Sequence, residues 1–205
     1  VGYNRPFFFL FTRLKQHIGV TPFTLSCTVI GHKIEADHWY RKPEEGTRIC
    51  GNLGHWIDLA IHLFAARNSP LPEAYKISIS HAKDNEIDDN ICVCISTEIG
   101  DLVVLTMTSR EEPYEGINET IVFQQNKLFA KIDDFRKAEF QIGSAKFTEQ
   151  YTPKDVGHSA AIMQPFNSSG RNIEEVFLST DLMLFITDMV LNRCNESVFI
   201  TKGKK

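Results

Sequence analysis

The chain has 205 residues, with 22 Lys and Arg against 26 Asp and Glu and a net charge of -4. Its cations are scattered, so there is no basic field for a phosphate backbone, and nucleic acid is not an expected partner. The length suits one domain over 1–205 with a real hydrophobic core. No apolar run approaches the ~20 residues of a membrane helix.

Five cysteines, an odd number, occupy strand-like or helix-end positions, and no second Cys or His pair stands at metal spacing beside Cys92 and Cys94. That is core usage in a reducing, cytoplasmic compartment, with no metal site expected. The chain opens on Val1 without a signal peptide, which suggests that a further segment precedes it.

In chain order, Pro6 can open a helix, and Phe8, Phe11, Leu14 and Ile18 recur at helical spacing to Gly19. Residues 23–30 are rich in β-branched and aromatic side chains and read as a strand, whereas 32–43, with Trp39, has no period and reads as a loop. From Glu45 to Ala66 a glycine-punctuated loop then feeds a helix that is apolar almost all round. Strands follow at 75–81, 90–98, 102–109, 119–124, 128–132, 138–142 and 145–150, and their short connections predict an antiparallel meander. The period becomes helical again over 158–166 and from Asn172, an N-cap signal with Glu175 three residues on, to about Arg193; a last strand spans 197–201. The order predicts an α+β fold, a mostly antiparallel mixed sheet with helices on one face.

The central helix carries His55, Asp58 and His62 at i, i+3 and i+7, a polar stripe about 60° wide. Three readings compete. As metal ligands, the outer two stand about 10 Å apart along the axis, poorly placed for one ion. As structure, Asp58 and His62 hydrogen-bond to loop backbone. As chemistry, His55 is best placed, just after Gly51-Asn52-Leu53-Gly54 at a helix start, where an imidazole can exchange a proton near neutral pH. No nucleophile elbow, paired carboxylates or G-x-G-x-x-G fingerprint is present, so the chain itself offers no dinucleotide site.

Three segments, VGYNRPF (1–7), HWYRKPEEGTRICGNLGHWIDLAIHL (38–63) and NEIDDN (85–90), resemble in order the C-terminal half of the Gfo/Idh/MocA oxidoreductases. The resemblance covers nearly the whole chain. It implies a glyceraldehyde-3-phosphate dehydrogenase-like C-terminal domain that binds substrate and oligomerises, with the N-terminal Rossmann domain absent. It also implies NAD or NADP in the full-length protein and none on this chain alone. The substrate would be a sugar, sugar nucleotide or cyclitol.

The family's histidine maps to His55, implied as the acid/base at the oxidised hydroxyl. Tyr3, Asn4 and Arg5 match the family's Y-N-R segment, Trp39 and Arg48 match positions beside the cleft, and Asn52 and Asp58 fall within the same pattern as binding residues. The chain departs from the family in three places. Gly51 stands where some members have aspartate, Asn52 where others have glutamate, and Val156-Gly157-His158 replaces K-G-H. The alternative is a non-catalytic carbohydrate-binding or scaffold protein on the same fold.

Assembly is expected from the strands. Ile91, Val93 and Ile95 share one face with Cys92, Cys94 and Ser96 on the other, and Leu102, Val104 and Thr106 oppose Val103, Leu105 and Met107. Neither face is strongly polar, which predicts a homodimer or homotetramer packed sheet against sheet.

Overall fold

Nine strands form one mixed sheet in the computed structural model, which describes residues 3–45, 47–67, 69–83, 86–110, 116–167 and 170–201. They are β1 (Thr24–Ile30), β2 (Ala74–His81), β3 (Ile91–Thr97), β4 (Leu102–Thr108), β5 (Asn118–Gln125), β6 (Leu128–Asp133), β7 (Lys137–Ile142), β8 (Ala145–Gln150) and β9 (Glu196–Ile200). Across the sheet the order is β8-β7-β6-β5-β1-β4-β3-β2-β9. Four helices, α1 (Phe9–Lys15), α2 (Gly54–Ala65), α3 (His158–Asn167) and α4 (Ile173–Leu191), complete the α+β fold.

Period-two alternation sets the core. Leu25, Cys27 and Val29 of β1, Val103, Leu105 and Met107 of β4, and Ile121 and Phe123 of β5 are buried with Trp56, Ile57, Ile61 and Phe64 of α2 and Leu182 and Ile186 of α4. Phe8, Phe11, Leu14 and Ile18 join them as their spacing predicts. The single helix expected from Pro6 is, however, two pieces. A 3-10 turn at Arg5–Phe7 is separated from α1 by Phe8, whose ψ of 133° is extended.

The expected meander holds within β2 to β4 and within β5 to β8, and fails between them. β1 lies between β4 and β5, parallel to β4 with Thr24 opposite Leu102 and antiparallel to β5 with Thr24 opposite Gln124. The connection over 109–117 is far longer than a hairpin turn, so nothing local forces β4 and β5 together.

The face away from the helices also departs from expectation. Its centre carries Ser26, Thr28, Val104, Thr106, Val122, Cys92 and Cys94, with Leu102 39% exposed. On β6 and β7 the same face turns ionic, with Lys131 opposite Glu139 and Asp133 opposite Lys137. The apolar character read from β3 and β4 therefore does not extend across the sheet. All five cysteines are free thiols, and Cys27 alone among them lies in the core. Among the described residues no helix is long and apolar enough to cross a membrane.

Candidate active site

The central stretch is not one loop and one helix. Ile49–Leu53 forms a π-helical turn that runs directly into α2, and such a turn widens the helix locally and resets which side chains share a face. Arg48 heads the turn, and its Nε donates to Asn52 Oδ1 at 3.2 Å. Gly54 follows because a Cβ there would collide with the Tyr3 hydroxyl and the Met183 sulfur. That close approach lets the Tyr3 hydroxyl donate to the Cys50 carbonyl at 3.0 Å.

The Tyr3-Asn4-Arg5 segment closes over His55. The Tyr3 ring meets the imidazole edge-on at 4.8 Å between centroids. Arg5 Nη1 donates to His55 Nδ1 at 3.1 Å and to Asn4 Oδ1 at 3.0 Å. Glu119 of β5 grips the other edge of the guanidinium, accepting from Nη2 at 2.7 Å and Nε at 3.2 Å, and also accepts from Trp56 Nε1 at 3.1 Å. This pair is buried, and its two-pronged geometry with the third donor from Trp56 offsets the cost of removing both charges from water. The Val156-Gly157-His158 segment packs on the same residues. Asn4 Nδ2 donates to the Val156 carbonyl at 2.5 Å, and Gly157, with φ of +84°, leaves no room for a Cβ against the Asn4 and Phe8 backbone.

Burial pushes the His55 pKa down to about 3, and the positive charge of Arg5, with His158 at the start of α3, acts in the same direction. The expected proton exchange near neutral pH is therefore not a property of this imidazole. It is neutral.

Asp58 and His62 turn toward α4. Asp58 accepts from Ser179 Oγ at 2.8 Å and Arg171 Nη1 at 2.6 Å. His62 Nδ1 lies 2.6 Å from Glu175 Oε1, which also accepts from Arg171 Nε at 2.7 Å. The expected partners were loop backbone; the actual ones are side chains of α4 and of the residue just before its Asn172 cap. Burial holds His62 below its ordinary pKa in spite of the Glu175 carboxylate. The three stripe residues thus face Arg5, Arg171 and Glu175 respectively and do not converge on one point. Asp58 has no exposed surface and lies in the contact between α2 and α4.

Arg48, Asn52 and Trp39 gather around a neighbouring cavity. Arg48 Nη1 donates to Asp89 Oδ1 at 2.8 Å and its backbone N–H to Asp88 Oδ2 at 2.9 Å, while Arg41 clamps Asp89 from the other side at 2.8 and 2.9 Å. These aspartates belong to the 85–90 segment. Arg48 and Asn52 line a cavity of about 430 Å³ with His32, Asp37 and His38, and Trp39 stacks on His38 with centroids 5.8 Å apart. Tyr3 and Asn4 border a second cavity of about 420 Å³, with His158, Gln164 and Arg171.

Sequence reading missed Glu119, Arg171 and Ser179. Glu119 had a visible signal, since it is in phase with Ile121 and Phe123 on the core face of a strand, where a carboxylate must be paired. Arg171 and Glu175 stand at i, i+4. Glu175 was noticed only as part of a cap signal, yet it reaches His62 instead, and Asn172 alone caps α4 by accepting from the Glu174 N–H at 3.0 Å.

No protein-family model matches the sequence, and no curated protein matches it. Solved structures do. A Gfo/Idh/MocA family oxidoreductase from Vibrio cholerae superposes with a TM-score of 0.63 at 14% identity, covering 94% of this chain and 61% of its own. Levoglucosan dehydrogenase, in complex with NADH and levoglucosan, gives a TM-score of 0.67 at 11% identity, covering 94% of this chain and 63% of its own. UDP-N-acetylglucosamine 3-dehydrogenase from Acidithiobacillus ferrooxidans gives 0.64 at 12% identity, covering 92% and 59%. The chain thus spans about three fifths of the length of the structures it matches, and it shares the α+β fold of that part of them.

Proposed function

We propose that this chain is the substrate-binding and assembly part of an NAD(P)-dependent dehydrogenase of a sugar, sugar nucleotide or cyclitol, with His55 against the reacting hydroxyl. The carrying observation is the constellation of Tyr3, Asn4, Arg5 and His55, built from the chain start and the head of α2 on a fold shared with such dehydrogenases. Arg48, Asn52 and Trp39, gathered around the neighbouring cavity, belong to the same reading as substrate contacts. Asp58 supports the helix pair behind them.

The chain's own residues do not suit a dinucleotide. The glycine-containing turn that opens α2 is filled at Gly54 by Tyr3 and Met183, which leaves no space for a pyrophosphate at that helix start. The nicotinamide cofactor, which accepts or supplies the hydride, is therefore assigned to polypeptide outside this chain. The non-catalytic alternative has the neutral His55 and the neutral Asn52 in its favour.

The test is turnover by the complete polypeptide that contains this chain, with NAD or NADP and a panel of levoglucosan, UDP-N-acetylglucosamine and inositols. Oxidation of one panel member, reduced roughly 10²–10³-fold in kcat by His55→Ala with the melting temperature lowered by no more than about 4 °C, is expected. No nicotinamide reduction with any of them would favour the binding protein. Micromolar affinity of the isolated chain for NADH in calorimetry would overturn the division of labour. Self-association is assigned to the apolar centre of the open sheet face. Light scattering should find a dimer or tetramer that Val104→Glu disperses, and a wild-type monomer at micromolar concentration would defeat it.

A further inference from the structure

A guanidinium has five N–H donors, no acceptor, and keeps its proton in proteins. The 3.1 Å contact between Arg5 Nη1 and His55 Nδ1 can therefore run in one direction only, with Nδ1 accepting through its lone pair. A neutral imidazole that accepts at Nδ1 carries its hydrogen on Nε2. Arg5 is not free to turn away, because Glu119 takes Nη2 and Nε, Asn4 Oδ1 takes Nη1, and the Trp56 ring lies 5.1 Å from the guanidinium carbon. We propose that Glu119 and Arg5 are positioning residues that hold His55 as its neutral Nε2–H tautomer, so that His55 meets a substrate oxygen as a hydrogen-bond donor and not as a proton acceptor.

The groups facing the ring agree. Arg5 comes from the N-terminal 3-10 turn, Tyr3 stands beside it, and His158 faces it from the start of α3; Glu119 on β5 acts through Arg5, with Lys154 Nζ 3.9 Å from its carboxylate. Among the described residues no carboxylate touches the ring. Protonation at Nε2 would set an imidazolium directly against a guanidinium, and burial opposes the charge as well. His55 is only half-buried, and among the described residues Nε2 has no hydrogen-bond partner, which leaves that donor for a ligand. His62 provides an internal contrast. Its Nδ1 faces a carboxylate that can only accept, so its hydrogen sits on Nδ1.

The donor role toward a substrate rests on the dehydrogenase reading; the tautomer does not, and the two are tested apart. Long-range proton–nitrogen correlation spectra of this chain, labelled with ¹⁵N-histidine, should show His55 protonated at Nε2 with an unprotonated Nδ1, unchanged from about pH 5 to 8, and His62 with the reverse pattern. A His55 that titrates in that window, or carries its hydrogen on Nδ1, overturns the proposal. In Arg5→Met/Glu119→Gln, which keeps an acceptor for Trp56, His55 should lose its fixed form and carry hydrogen on Nδ1 as well as on Nε2. If that variant folds and His55 still carries its hydrogen on Nε2 alone, Arg5 has no positioning role. If it does not fold, the wild-type spectra decide the matter.

In the complete enzyme, His55→Gln retains an N–H donor and should keep at least tenfold more kcat than His55→Ala. Equal losses would mean that His55 accepts the proton. Absence of any wild-type turnover would count against the dehydrogenase reading and leave the spectral result standing.

Discussion

The two ends of α2 hold two histidines under opposite rules. His55 meets a donor that cannot accept, and His62 meets an acceptor that cannot donate. Both are neutral, but the first keeps a ring N–H that has no partner among the described residues, while the second is sealed between α2 and α4 with Asp58, Arg171, Glu175 and Ser179. On one helix, then, the sign of the partner decides which nitrogen carries the hydrogen, and burial decides whether that hydrogen is available to a ligand. The C-terminal end is built for stability, and the N-terminal end is the one we propose for contact.

That contrast can be broken most directly at Asp58. Asp58→Ala removes an acceptor with no exposure and leaves Arg171 to Glu175 alone; a loss of about 3 kcal/mol is expected in chemical denaturation. A loss under about 1 kcal/mol would mean that the network contributes little. His62→Ala should cost about 2 kcal/mol, because it deletes a buried hydrogen bond to a charged group, whereas His55→Ala should cost less than half as much. Equal losses at the two histidines would erase the distinction drawn between them.

Gly54→Ala tests the His55 end by packing instead of charge. Its methyl group must displace the Tyr3 hydroxyl or the Met183 sulfur, at a cost of about 1–3 kcal/mol, and substrate affinity should fall with it as Tyr3 moves from the His55 ring.

The same contrast can be tested through pH dependence. The folded-state pKa of His55, about 3, lies below the ordinary value of 6.5, so between those values the unfolded chain binds more protons than the folded one. The stability that depends on a neutral His55 is complete above about pH 6.5 and is lost as pH falls toward 3; His62, shifted in the same direction, adds to the slope. Denaturation at pH 7 and 5 should therefore show wild type losing ground to His55→Asn at the lower pH. A difference independent of pH would refute the depressed value.

Much of this molecule follows from local pattern. Period two in β3 and β4 separated the residues of the two faces without saying which is buried, helical spacing from Phe8 to Ile18 marked the core of the first segment, and Asn172 marked the start of α4. Such features depend on residues within a few positions of each other, and a period or a cap is written in that short range. Val1 to Phe7 and the 38–63 stretch also pointed to His55 and its neighbours as a site.

What sequence alone could not supply was the set of partners. The Arg5 contacts join residues 50 positions apart at His55 and 114 apart at Glu119, and His62 meets Glu175 across 113. The insertion of β1 between β4 and β5, and the charged end of the open sheet face, are likewise matters of which strand lies beside which. A histidine's proton affinity, its tautomer and its exposure depend on what stands within hydrogen-bond reach, and only the folded chain brings those groups there.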